Sequence, residues 1–195
     1  MKMIWSSFKQ MIACIKKDFM LYLACALPVL LGVMIRFGVP ALEKFLCGWL
    51  VKMSVLEPYY ILFDICFLLM TAFAFCFVAA MVVLEDVDNK ITNYLFVTPL
   101  GKTGYLISHF VLPAVLGFLL TIVFYPFFHL TAMGIGNILF CAVTGLLHGL
   151  IAAMLMVSVS SNKLEGMTVA KVVSLEIFGY IVPYFIAGKL QYIFG

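Results

Sequence analysis

A chain of 195 residues of which 66% are hydrophobic and 11% charged, with a mean hydropathy of +1.19, is too apolar for a soluble globular domain, where about half the residues are apolar and about a quarter charged. Twelve basic against nine acidic residues leave a net charge of +3 and no basic block, which excludes a disordered chain and a nucleic-acid binder. At about 20 apolar residues per crossing, the composition predicts an all-α, polytopic membrane helix bundle of five or six spans, and chemistry that needs a soluble domain must come from a partner.

Residues 1–18 carry Lys2, Lys9, Lys16, Lys17 and Asp18, too many charges for a crossing, and no small-residue cleavage site follows, so no removable signal peptide is predicted. Ile4, Trp5, Phe8, Met11, Ile12, Ile15 and Phe19 recur at steps of three and four, with Lys2, Ser6, Lys9, Gln10 and Lys16 opposite. That pattern predicts an amphipathic helix along a negatively charged leaflet rather than an unstructured tail.

The first span is expected at about 19–40, with Pro28 as a kink and Arg36 near its far end. Residues 41–58 mix Glu43, Lys44, Lys52, Glu57 and Pro58 with Phe45, Leu46, Trp49 and Leu50, which suits a short interfacial helix rather than a crossing. A second span, about 59–84, is interrupted only by Asp64. The most polar stretch follows, a loop at 85–104. Two spans at about 105–128 and 131–157 are joined by His129 and Leu130; a second polar loop at 158–171 precedes a fifth span at about 172–187.

Inner loops of membrane proteins are enriched in Lys and Arg. With the amino terminus inside, Lys2, Lys9, Lys16, Lys17, Lys90, Lys102, Lys163 and Lys171 lie inside, against Lys44, Lys52 and Lys189 outside. This predicts a multi-pass plasma-membrane protein with its amino terminus and both polar loops in the cytoplasm.

Cys25, Cys66, Cys76 and Cys141 fall in apolar runs without CxxC spacing, which suits packing rather than disulfides or metal. Ala72, Cys76 and Ala80, and Cys141, Gly145, Gly149 and Ala153, form stripes at spacing four that let helices approach closely, inside one subunit or between two. Neither HExxH nor GxSxG occurs, and His109, His129 and His148 are too far apart in the chain to suggest a metal cluster. Gly101-Lys102-Thr103 resembles the end of a phosphate-binding loop, but Phe96 stands where that loop needs a glycine. No catalytic, cofactor or metal residue is therefore predicted. Charges in hydrocarbon mark pairs or pathways, which singles out Arg36, Asp64 and Glu176. In the 85–104 loop a helix is expected from Glu85 through Phe96, ended by Thr98-Pro99 and carrying Val87, Ile91, Tyr94 and Leu95 on one face. Such a helix suits docking into another protein's groove, or lies on the membrane or its own bundle.

Leu84-Glu85-Asp86, then Tyr94-Leu95-Phe96-Val97-Thr98-Pro99-Leu100 and Tyr105-Leu106, resembles the first cytoplasmic loop of the ABC-2 family, the membrane subunits of ATP-binding-cassette exporters. The amino-terminal helix resembles that family's interfacial connecting helix. Ser160 to Gly166 with Lys171 resembles the loop before the fifth span in permeases of fluoroquinolone-export type. The resemblance implies a permease subunit, not itself an enzyme, that works with a separate ATPase subunit holding ATP and Mg and with a second, identical or related permease in the bilayer. It implies export of an amphiphilic or hydrophobic drug, peptide or lipid. Glu85, Asp86, Tyr94 and Pro99, with Asn162, Lys163, Glu165 and Gly166 as a second contact, are the implied coupling residues; Arg36, Asp64 and Glu176 are candidates for the pathway. The family has six spans where five are counted here. Two rival readings are a substrate-capture subunit of an energy-coupling vitamin importer and a non-transporting immunity or assembly protein.

Overall fold

The computed structural model describes residues 2–50, 54, 56–92, 101–175 and 179, and among these residues there are helices and turns but no strand. In chain order the helices are α1 (Lys2–Lys17), α2 (Phe19–Val33), α3 (Val39–Leu50), α4 (Tyr60–Asp88), α5 (Gly101–Leu106), α6 (Leu112–Phe128), α7 (Ile135–Val159) and α8 (Lys163–Ser174). Among the described residues, four continuous helical stretches are long and apolar enough to cross a membrane: Phe19–Trp49, Glu57–Asp88, Gly101–Phe128 and Ile135–Val159. The all-α membrane bundle expected from composition is thus the fold.

Several boundaries differ from the sequence expectation, among them the end of α4 at Asp88 rather than near 84. The segment after Pro40 does not begin a separate interfacial helix: a π-helical turn at Met34–Gly38 carries α2 directly into α3. A second π-helical turn, Ile107–Val111, joins α5 to α6. Each turn ends two residues before a proline, Pro40 and Pro113. A proline lacks the N–H that an α-helix needs and its ring presses on the preceding turn. A wider turn just upstream relieves that crowding, so the helix passes the proline instead of breaking. Another difference lies in the 158–171 loop, whose second part is helix α8. Asn162 accepts the N–H of Glu165 at 2.9 Å, and the Glu165 carboxylate accepts the N–H of Ser161 at 2.7 Å. This reciprocal cap starts the helix at Lys163. Of the fifth span expected at 172–187, only its first residues and residue 179 are described.

Helix α4 is the centre of the bundle: 72% of its most apolar window is buried, against 28%, 39% and 28% in the other three spans. Its closest neighbour is α7, and the small-residue stripes meet there. A methyl group added to Gly145 would stand 3.2 Å from Leu69 Cα, and one on Gly149 would stand 2.9 Å from Cys76 Sγ and 3.3 Å from Phe73 Cα. Ala72, Cys76, Ala80 and Ala153 are all buried in this region. Of the two uses open to such stripes, this chain employs them internally, where close backbone approach maximises dispersion contacts in a setting without a hydrophobic driving force. Helix α1 buries Ser7, Phe8 and Met11 against α4 and the Ile107–Val111 turn, and leaves Trp5 and Ile12 outward beside exposed Lys9, Lys16 and Lys17.

Candidate functional site: an apolar groove capped by ion pairs

Helices α2, α4 and α8 enclose a groove of about 380 Å³, within the size range of small-molecule sites. Each wall presents one helical stripe: Met20, Ala24, Leu27, Pro28 and Leu31 from α2; Met70, Phe73, Ala74 and Phe77 from α4; Met167, Ala170, Lys171 and Ser174 from α8. The three alanines make the space, and the methionines give it adaptable walls. Lys171 and Ser174 are its polar groups.

At the Asp18 end of the bundle one side chain gathers three elements. The Lys163 ammonium donates to Asp18 Oδ2 at 2.5 Å and to Glu85 Oε2 at 2.7 Å, and the Lys163 backbone N–H donates to Asp88 Oδ2 at 2.9 Å. Asp18 also caps α2, accepting from Met20 N at 2.9 Å. The hydrogen bond from Lys163 holds the Asp18 carboxyl below its ordinary value. Partial burial alone would lower the Lys163 ammonium, but its bonds to Asp18 and Glu85 outweigh that and raise it. Gly166, one turn into α8, lies so close to Leu84 that an added methyl group would force the buried Leu84 side chain to shift.

Beneath this cluster, between α1, α4 and α5, lies a buried polar layer. Tyr105 donates to Asp86 Oδ2 at 2.9 Å, and His109 Nε2 stands 3.6 Å from the same oxygen. Ser108 Oγ donates to the Tyr105 carbonyl at 2.9 Å and lies 2.9 Å from His109 Nδ1 and 3.2 Å from Ser7 Oγ. The π-helical turn places Ser108 and His109 together toward α4 and α1. At the opposite end, Asp64 accepts the N–H groups of Leu130 and Thr131 at 2.9 and 2.8 Å, while Arg36 donates to the His129 carbonyl at 2.7 Å. Glu43 holds the chain entering α4 by accepting from Leu56 N, Glu57 N and the Tyr60 hydroxyl.

Of the residues singled out from sequence, Glu85, Asp86, Asn162, Lys163, Glu165 and Gly166 come together at the Asp18 end. The expected helix from Glu85 through Phe96 is not continuous: α4 runs on to Asp88, then Asn89 and Lys90 form a turn in which Lys90 has φ 57°. The acids therefore occupy the last turn of a span, where the helix dipole disfavours them, and their bonds to Lys163 and Tyr105 offset that cost. Arg36 and Asp64 hold one shared loop, each through backbone groups, and neither lines the groove. Tyr94, Pro99 and Glu176 lie outside the described residues. Sequence reasoning missed Asp18, Asp88, Tyr105, His109 and the groove itself. Asp18 carried a local signal, an acid between two apolar periodic segments where an N-cap belongs.

Residues 11–195 match the model of a family described as fluoroquinolones export permease protein Rv2686c-like. Searches of curated proteins and of solved structures find no match.

Proposed function

The chain belongs to the fluoroquinolones export permease family, Rv2686c-like, and from that premise we propose that it is the membrane subunit of an ATP-binding-cassette exporter that moves amphiphilic compounds out of the cell. The observation that carries the reading is the groove of about 380 Å³ between α2, α4 and α8. Its apolar walls match a drug-sized hydrophobic body, and Lys171 with Ser174 suits a carboxylate or another acceptor group on the same molecule.

Energy comes from a partner in this proposal, since no phosphate-binding loop is present in the sequence. The amino-terminal helix and the two polar loops face the cytoplasm, as the lysine distribution favours. Glu85, Asp86 and the Asn162 to Gly166 turn transmit the ATPase's movement to the groove walls, with Tyr94 and Pro99 in the part of the loop that meets the partner. A second permease, identical or related, completes the pathway. ATP and Mg bind in the ATPase, and the permease itself is not an enzyme.

The test is export into inverted membrane vesicles that contain the chain and the ATPase that co-purifies with it from mild detergent. A fluorescent amphiphile bearing a carboxylate should accumulate on addition of ATP and Mg, and not with a non-hydrolysable analogue. Absence of a co-purifying ATPase, or uptake indifferent to ATP, overturns the proposal.

A further inference from the structure

The three residues joined by ion pairs at the Asp18 end come one from each wall of the groove. Asp18 caps α2, two residues before Met20, the first groove residue of that wall. Glu85 lies two helical turns beyond Phe77 on the α4 stripe, and Lys163 lies one turn before Met167 on the α8 stripe, where Lys163, Met167 and Lys171 follow at steps of four. The chain runs toward this end in α4 and away from it in α2 and α8, so all three contacts sit at the same end of the groove. One ammonium, at 2.5 and 2.7 Å from two carboxylates, links the three walls at that end.

We infer that Lys163 is a positioning residue that locks the Asp18 end of the groove, and that a compound passes there only when the ammonium releases Asp18, Glu85 or both. Among the described residues α8 is the shortest of the three walls. It is 12 residues long, about 18 Å at 1.5 Å per residue, and it is held at its start by Lys163 and, one turn later, by the close seat of Gly166 on Leu84. Breaking the ion pairs frees α8 from α2, while the Lys163 N–H bond to Asp88 and the seat of Gly166 on Leu84 keep its start on α4, so the wall carrying Met167, Ala170 and Lys171 swings away from α2. Helix α4 stays in place because its seam with α7 lies on another face. Of the two pairs only the one with Asp18 reaches α2, whereas α8 is tied to α4 both through Glu85 and through the Lys163 N–H and Asp88.

The inference rests on the groove being the transport route, and it is tested without transport. The full chain carrying Ala74→Cys, a groove position on α4, is placed in lipid nanodiscs. Labelling by a membrane-impermeant maleimide is followed at that residue by peptide mass spectrometry, with native Cys76, buried in the α4–α7 seam, as internal control. Lys163→Met should speed labelling at position 74 by roughly five- to tenfold, the scale of losing two partly exposed ion pairs, and leave Cys76 unlabelled. Lys163→Arg should restore the slow rate, and Asp18→Asn and Glu85→Gln should each give an intermediate one. Unchanged labelling at position 74 overturns the inference, and so does a parallel rise at Cys76, which means general loosening. If Lys163→Met does not fold, unchanged labelling in both carboxamide variants overturns it equally. Faster labelling with no ATP-driven export sinks the transport reading and leaves the lock standing; export with unchanged labelling sinks the lock alone.

Discussion

A carboxylate within a membrane helix is tolerated where other groups replace the hydrogen bonds of water. Asp64 meets that condition through two backbone N–H groups 66 and 67 residues further along the chain. Asp64→Ala leaves both donors without this acceptor and is expected to destabilise the chain by about 2–5 kcal/mol, with Asp64→Asn, which keeps one oxygen, costing about half as much. Melting midpoints in detergent micelles check this, and equal midpoints for Asp64→Ala and the parent reject the role. Lys163 and Asp18 predict a pH dependence with two limbs. Asp18 is held below its ordinary 3.8, so its contribution is full above that value and fades as pH falls through the lowered one. Lys163 is raised above 10.5, so its contribution is full below that value and fades as pH rises through the raised one. Divided at each pH by the rate of a free thiol, since the thiolate is the reacting form, the Ala74→Cys labelling rate should therefore be flat near neutrality and climb on both sides, with Asp18→Asn flattening the acid limb. At this scale the sequence marks which residues are costly but not what satisfies them. Asp64 and Arg36 stand out from any apolar run, yet their partners are peptide groups of a loop, which leave no trace in residue type. Asp86 and His109 are likewise visible only separately.

Elements were legible where their cause is local. The periodic apolar face of α1, the apolar runs of the spans and the spacing-four stripes of small residues all follow from neighbours three or four positions away. The stripes also predict their own failure. Gly145→Val or Gly149→Leu forces a side chain into backbone and Cys76 Sγ at about 3 Å, and should cost about 1–3 kcal/mol by overpacking. Gly136→Ala, where an added methyl meets nothing within 4 Å, should leave the melting midpoint unchanged; equal losses at all three positions count against the seam. Helix α8 was overlooked because its residues mix charge and small apolar groups, although Asn162 and Glu165 form the N-cap signature three residues apart. Asn162→Ala should cost about 1 kcal/mol of stability and raise labelling at position 74, since the helix start that carries Lys163 frays. The end of α4 was misplaced for a different reason. Glu85, Asp86 and Asp88 look like the acidic first turn of a new helix, and only long-range partners make them the last turn of an old one.

Across the whole molecule, composition alone announced a membrane bundle, and the lysine distribution predicts an orientation for it. Neither could indicate that α4 lies at its centre or that α2 and α8 leave a groove on it, because a groove is defined by what three distant segments fail to fill. If Lys171 is the polar contact of that groove, Lys171→Met should weaken export of a carboxylate-bearing amphiphile roughly tenfold while sparing a neutral one of similar size, the scale of one charge-assisted hydrogen bond. An equal loss for both compounds in the vesicle assay removes Lys171 from recognition. The two π-helical turns carry a consequence for the bundle as a whole. A π turn takes up one residue more than an α turn, so the half-helices on either side are out of phase by about 100°. Side chains of Phe19–Val33 and Val39–Leu50 that share a face by ordinary helical counting therefore point in different directions, and the same holds on either side of Ile107–Val111. Deleting one residue within 107–111 brings α5 and α6 back into phase. When the residue removed is Ile107 or Val111, every member of the polar layer is still present, yet Tyr105 and His109 are expected to turn away from Asp86.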